Sequence, residues 1–138
     1  MDGVDWYWPN EENPRQALAP ETVRLLAPFD PVVHDRSRFK LLWGWVYRFE
    51  AYTPAPKRKL GYYALPLLWR DRVIGWGNLA LKSDTVPKYN LGTRTRMGTR
   101  ALTVELGYVA GAPPRDRTFK GELEAELERM RVFLGAKG

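Results

Sequence analysis

Apolar residues recur at every second position in the middle of the chain, the period of a half-buried β-strand. The clearest pair of predicted strands consists of residues 62–69, which are mostly apolar, and residues 72–81, which alternate. Two polar residues join them, so they predict a β-hairpin. Pro66 inside the first segment predicts an edge position or a bulge. Gly75 and Gly77 in the second segment predict strong coiling or a close approach of neighbouring backbones, as in a barrel.

Two further segments alternate in the same way and predict strands. In residues 46–52 (VYRFEAY), one face takes Tyr47, Phe49 and Ala51, and the other takes Val46, Arg48, Glu50 and Tyr52. Residues 100–109 (RALTVELGYV) follow later in the chain. Residues 53–61 (TPAPKRKLG) predict a turn or a hairpin tip. The polar residues 83–99 predict a long loop or a mobile strand pair.

Signals of a short helix precede the strand-rich centre. Asp35 or Ser37 is placed to cap it at the start, and Gly44 follows Trp43 as a stop. We therefore predict a short helix that ends at Trp43.

The C-terminal segment has the period of an amphipathic helix, which Asp116 or Thr118 would begin and which would end near Leu134. Its apolar stripe is Phe119, Leu123, Leu127, Met130 and Leu134. The opposite face carries Glu122, Glu124, Glu126, Glu128, Arg129 and Arg131. We expect these glutamates to form a solvated polar face rather than a cation site.

These elements indicate an α+β fold: a small, strongly coiled antiparallel β-barrel or sheet, with a short N-terminal helix and an amphipathic C-terminal helix. The length of 138 residues fits one domain. We assign residues 1–20 to an N-terminal strand (GVDWYW, 3–8) with a proline-rich linker. Residues 21–138 form the β-barrel-like domain.

The charge of the chain is concentrated in its centre. Residues 1–29 carry two basic and five acidic side chains, and residues 101–138 carry six of each. Residues 30–100 carry fourteen basic and five acidic side chains, a net charge of +9. A polyanion such as nucleic acid would be attracted to that segment.

Candidate catalytic chemistry is sparse. The chain has no cysteine and a single histidine, His34, so we predict no metal site and no cofactor. A general base at His34 held by Asp35, or chemistry at Asp30, is the alternative to a loop histidine beside turn and cap residues. No segment is long and apolar enough for a membrane span and the N-terminus is acidic, so we expect a cytoplasmic protein.

The stronger candidate site is the loop of Lys57, Arg58 and Lys59, which we call the KRK loop. Stiffening prolines precede it, and Tyr62 and Tyr63 follow it. Cations beside aromatic rings suit phosphate contact combined with stacking. A second set of cations could continue the surface: Lys88, Arg94, Arg96 and Arg100.

Three segments carry a resemblance to a known family: LLAPFDPVVHDRSRF, then YRFEAYTPAPKRKLGYYALPLLWRDRVIGW, and the C-terminal ELEAELERMRVFLG. They resemble the C-terminal part of the YcaQ/AlkZ-like winged-helix DNA glycosylases, which repair alkylated or crosslinked bases. The resemblance implies a β-barrel-like terminal domain and makes residues 1–20 the tail of a winged-helix module.

The family's catalytic Gln-x-Gln motif lies in its winged-helix part, whereas this chain has a single glutamine, Gln16. The resemblance therefore implies a non-catalytic domain that binds the DNA backbone and is nucleoid-associated in the cytoplasm. The alternative is a structural domain that docks on upstream winged-helix modules without touching DNA. Glycosylase activity of the chain alone would have to rest on His34 or its neighbouring acids.

Overall fold

The computed structural model describes Gly3, Asp5, residues 18–83 and residues 100–136. In chain order its elements are β1 (Val23–Leu25), α1 (Arg36–Trp43), a 3-10 turn (Ala55–Lys57), β2 (Ala64–Trp69), β3 (Arg72–Ser83), β4 (Arg100–Tyr108) and α2 (Arg117–Phe133). The strands form one antiparallel sheet in the order β1-β2-β3-β4. The sheet is curled into a half-barrel, which confirms the predicted α+β class.

The predicted β2–β3 hairpin is confirmed, with Arg70 and Asp71 as its two-residue connection. Arg70 adopts a left-handed φ of 56°, as tight hairpin turns require. The Arg70 guanidinium contacts Glu21 at 2.7 Å and Asp116 at 3.2 Å, so it ties the turn to the chain before β1 and to the start of α2.

Pro66 lies in β2, an interior strand, so the edge alternative is wrong, while a bulge does follow between Leu67 and Leu68. The Pro66 carbonyl accepts the Leu26 N–H at 2.9 Å. Because the N–H and C=O positions of a strand residue point the same way, the missing N–H of Pro66 faces the β1 side. The β2–β3 ladder therefore loses no hydrogen bond.

One face of the sheet packs against α2. The buried core there consists of Val23, Leu25, Leu65, Leu67, Trp69 and Phe119. The Phe119 ring makes edge contacts with Trp69 at 5.4 Å and Tyr108 at 6.2 Å. Leu123, Leu127 and Met130 also pack on this core, as the predicted apolar stripe requires.

The close approach predicted for the β3 glycines is found at Gly75. A Cβ there would lie 2.1 Å from the Gly107 carbonyl oxygen of β4, where no side chain fits. Gly107 in turn leaves room for the Trp76 ring, which a Cβ would meet at 2.3 Å. These glycines allow the curled sheet to close tightly at β3–β4.

The opposite face of the sheet is covered by α1 and the segment that follows it. Asp35 caps α1 by accepting the Arg38 N–H at 3.0 Å, and Gly44 ends it at φ 73°, as predicted. Phe39 is buried and contacts Trp43, Trp45 and Tyr47 at ring distances of 4.8, 5.1 and 5.6 Å.

The strand predicted at 46–52 is wrong, because this segment joins no ladder. Tyr47 in this segment and Trp45 just before it instead donate hydrogen bonds to strand carbonyls on the covered face. The Trp45 indole N–H donates to Val73 at 3.0 Å, and the Tyr47 hydroxyl donates to Ala64 at 2.8 Å. Tyr47 is buried while Val46 is exposed, so part of the alternation reflects packing on the sheet face rather than β-pairing. With no strand at 46–52, the loop that follows is a turn but not a hairpin tip.

The outer edge of β1 is closed by side chains of α2. Glu126 is only 3% exposed and accepts the outward-pointing Leu25 N–H at 2.8 Å. Arg129 donates to Glu126 at 2.8 Å and to the Val23 carbonyl at 3.3 Å. The predicted solvated face is therefore wrong at Glu126, because an edge strand's free polar groups need partners.

Apart from Gly3 and Asp5, the strand candidate at 3–8 lies outside the described part of the chain, as do most of the linker and residues 84–99. Among the described residues, no helix has the length and apolar character needed to cross a bilayer.

Candidate nucleic-acid interface

The backbone of the KRK loop is held by the carboxylate of Glu50, a residue that the sequence predicted to lie in a β-strand. Glu50 is 4% exposed and points under the loop backbone. Its oxygens accept the N–H groups of Lys59 (3.0 and 2.8 Å), Leu60 (2.8 Å) and Gly61 (3.2 Å). Three successive backbone donors are thus fixed by one side chain, which holds the loop in a defined shape.

Glu50 is the ionised partner in this arrangement. Burial by itself raises the pKa of Glu50, but the three N–H donors favour the charged form and the net pKa is lowered. The carboxylate is therefore charged at neutral pH, and its hydrogen bonds to the loop are charge-assisted.

Further contacts fix both flanks of the loop. The Asn78 amide donates to the Leu60 carbonyl at 2.6 Å from β3. The Arg58 Nε donates to the Thr53 carbonyl at 2.8 Å, and its guanidinium lies 4.8 Å from the Tyr62 ring centre. The loop is consequently tied to the sheet and to its own flanking residues.

The cationic ends of the loop remain available to an outside partner. Lys57 and Lys59 are exposed, and Arg58 is partly buried. Within residues 18–83 and 100–136, none of these three cations forms an ion pair with a carboxylate. The described part of the protein therefore does not neutralise the KRK loop by direct pairing.

The KRK loop forms one wall of a groove of about 520 Å³, which we call the basic groove. Its lining comprises Arg58, Lys59, Leu60, Gly61, Tyr62, Tyr63, Asn78, Leu79, Ala80, Lys82, Thr103 and Glu105. The register pairs Asn78 with Glu105, Ala80 with Thr103 and Lys82 with Ala101, so one face of β3 and β4 forms the floor. Two cations of the predicted site and both tyrosines meet here.

The structure adds groove residues that the sequence did not single out. Lys82 contributes a third cation, Asn78 and Thr103 contribute polar groups, and Glu105 contributes an acid. Lys82 and Thr103 lie in ordinary alternating strand positions, so only the register shows that they share a face with the KRK loop. Lys57 lies in the adjacent 3-10 turn and does not line the groove.

The second predicted cation set is only partly described. Arg100 is exposed at the start of β4. Strand alternation places it on the same face as Leu102, whereas Thr103, which lines the basic groove, lies on the other face. Lys88, Arg94 and Arg96 lie outside the described residues.

The acids near His34 have local structural partners. The Asp30 carboxylate accepts the Val32 N–H at 2.9 Å within a turn, and Asp35 caps α1. The bond from the Arg38 N–H lowers the pKa of Asp35. In the described ranges, no three His, Asp or Glu side chains cluster closely enough to hold a metal ion.

A second, apolar groove of about 440 Å³ opens between the sheet and the end of α2. Leu25, Leu79, Leu81 and Met130 are among its lining residues, and so is Phe133, which is 82% exposed. An exposed aromatic side chain beside apolar surface is typical of a contact surface.

Comparison with known proteins supplies the family. The family model described as DNA glycosylase AlkZ-like matches residues 3–133, which include every described strand and helix. No solved structure matches the chain. The match confirms the resemblance seen in the sequence. Because the family consists of DNA glycosylases, it implies DNA as a partner. The chain therefore belongs to the AlkZ-like DNA glycosylase family, a family of DNA-repair proteins.

Proposed function

We propose that this chain is a non-catalytic DNA-binding domain of its glycosylase family, which holds the sugar–phosphate backbone in the basic groove. The observation that carries the proposal is the KRK loop, whose backbone is fixed by buried Glu50 while its lysines stay exposed. Residues 1–20 would be the tail of a winged-helix module and residues 21–138 the domain itself.

A preorganised cationic wall is suited to phosphate contact. Lysine binds phosphate as a point charge without demanding geometry, and arginine adds directed donors. Because the loop is ordered before binding, little of the interaction is offset by ordering the backbone. Base identity would contribute little, since phosphate contacts position a protein on DNA without reading sequence.

The test is a salt titration of duplex binding with Lys57→Ala, Arg58→Ala and Lys59→Ala combined. If three phosphate contacts are lost, the slope of log affinity against log salt should flatten by about 2 to 3. The matched control is Arg115→Ala, Arg117→Ala and Lys120→Ala, which removes the same charge from exposed positions around the start of α2.

Equal slopes for the two triple variants would show that only net charge matters, and the groove assignment would fail. Absence of any DNA binding by the unaltered chain, whether to duplex or to a single strand, at about 50 mM salt would contradict the proposal as a whole.

A second candidate function is docking on a winged-helix module, which the apolar groove at Phe133 favours. It predicts a stable complex with such a module that Phe133→Ala disrupts. It also predicts that DNA affinity is unchanged by the KRK substitutions. Phe133→Ala and the KRK triple variant therefore separate the two candidate functions.

A further inference from the structure

Three exposed aromatic rings surround the half-buried Phe49 beside the basic groove, and these three have no role in the fold described so far. We call Phe29, Phe49, Tyr52 and Tyr63 the aromatic strip. Phe29 is 79% exposed, Tyr52 is 91% exposed and Tyr63 is 44% exposed, so these three rings are not core residues. Contiguous exposed aromatic surface on a small protein marks an interaction site.

The strip is ordered around its one half-buried member. Phe49 makes edge contacts with Phe29 at 6.2 Å, Tyr52 at 6.3 Å and Tyr63 at 5.1 Å between ring centres. An edge contact covers at most one face of one ring, so ring faces remain open to a third planar group. Aromatic side chains also lose little rotamer freedom on binding, because they have only two torsions.

The strip leads into the basic groove. Tyr63 lines the groove together with Arg58, Lys59 and Lys82. At the other end, Phe29 and Tyr52 border a pocket of about 220 Å³ that His34 and Arg36 also line. Cations therefore lie at both ends of a row of open rings, as a strand with charged phosphates and flat bases would require.

We propose that the aromatic strip stacks against unpaired bases, so that the domain binds single-stranded DNA in preference to duplex. This proposal rests on the proposed DNA-binding function and adds the form of DNA recognised. In a duplex the base faces are covered by their stacked neighbours, whereas a single strand presents them to aromatic side chains. The charge of the neighbouring groove selects a polyanion over an apolar protein surface.

The experiment compares a labelled oligothymidylate of about 12 nucleotides with a duplex of equal length by fluorescence anisotropy, using the full chain. Tyr52→Ala and Phe29→Ala should each weaken single-strand binding about 5- to 150-fold, the range for loss of one stacked base. Duplex binding should change less than twofold. Tyr52→Phe is the matched control, because it keeps the ring and should retain affinity.

Salt dependence separates this proposal from the underlying one. Stacking involves no counterion release, so Tyr52→Ala should lower affinity at every salt concentration without changing the slope, whereas the KRK variant changes the slope. Equal loss of single-strand and duplex affinity in Tyr52→Ala would overturn the proposal that the strip stacks on unpaired bases. The proposed DNA-binding function would still stand.

Three other results would also overturn the single-strand proposal. A preference of the unaltered chain for duplex over single-stranded DNA would refute the single-strand proposal alone. Failure of the chain to bind either form of DNA would refute both proposals. Loss of a complex with a winged-helix module in Tyr52→Ala, with single-strand affinity unchanged, would assign the strip to a protein partner instead.

Discussion

Replacing Glu50 with glutamine isolates the contribution of one buried charge to the KRK loop. Glu50 Oε2 accepts the N–H groups of Lys59, Leu60 and Gly61, and Oε1 accepts the Lys59 N–H a second time at 3.0 Å. Glutamine keeps one acceptor oxygen but replaces the other with an amide group that cannot accept a hydrogen bond. A hydrogen bond to a charged group contributes about 1.5–3 kcal/mol and a neutral one about 0.5–1.5 kcal/mol, so at least one bond is lost and the rest weaken. We expect Glu50→Gln to lower the free energy of unfolding by about 2–4 kcal/mol.

Urea denaturation measures this loss as a lower midpoint at an unchanged slope. Glu124→Gln is the matched control, since it makes the same charge change at an exposed position of α2 and should alter stability by less than about 0.5 kcal/mol. Amide hydrogen exchange at Lys59 and Leu60 should accelerate in Glu50→Gln beyond the change in global stability, because the lost bonds are local.

The pH dependence of the difference tests the same charge. The pKa of Glu50 is lowered in the folded state, so its ionised form stabilises the fold above the ordinary glutamate pKa of about 4.3. That stabilisation is lost as the pH falls through the lower folded-state value. The gap between wild type and Glu50→Gln should therefore be full at neutral pH and close in acid. A gap that is constant with pH, or no larger than that of Glu124→Gln, would refute the role assigned to Glu50.

Two further substitutions test the sheet. Glu126→Gln should destabilise the protein by about 1–3 kcal/mol, because the Leu25 N–H and Arg129 lose their charged acceptor; an unchanged urea midpoint would contradict the edge-closing contact. Gly75→Ala should destabilise by about 3 kcal/mol or more, since its Cβ would overlap the Gly107 carbonyl. Gly121→Ala, with open space around it in α2, should instead raise the thermal midpoint through about 0.5–1 kcal/mol of stabilisation.

The elements that the sequence predicted well are those encoded by local signals. Asp35 and Gly44 bound α1 by capping chemistry that acts within four residues. The two-residue connection fixes the β2–β3 hairpin in the same local way, and the apolar stripe of α2 follows the helical period. Each of these signals is readable without knowing what packs against the element.

The wrong predictions concern residues whose structure is determined by tertiary contacts. Alternation at 46–52 is the signature of any extended segment with one face buried, and it does not show whether backbone partners exist. Glu126 lies three residues after Leu123 and four before Met130, so it occupies the apolar stripe. Helical spacing could have shown that Glu126 faces the sheet, but not that a free strand edge would meet its carboxylate.

For Glu50, no local pattern gave the answer, because its partners are backbone groups that every loop possesses. Its burial nonetheless bears directly on the proposed interface. An acid beside a cationic loop would ordinarily pair with a lysine ammonium and weaken the attraction for a polyanion. Here the carboxylate oxygens are occupied by the N–H groups of Lys59, Leu60 and Gly61. The acid thus shapes the loop backbone, while the lysine side chains of Lys57 and Lys59 remain directed to solvent, where phosphate groups could reach them.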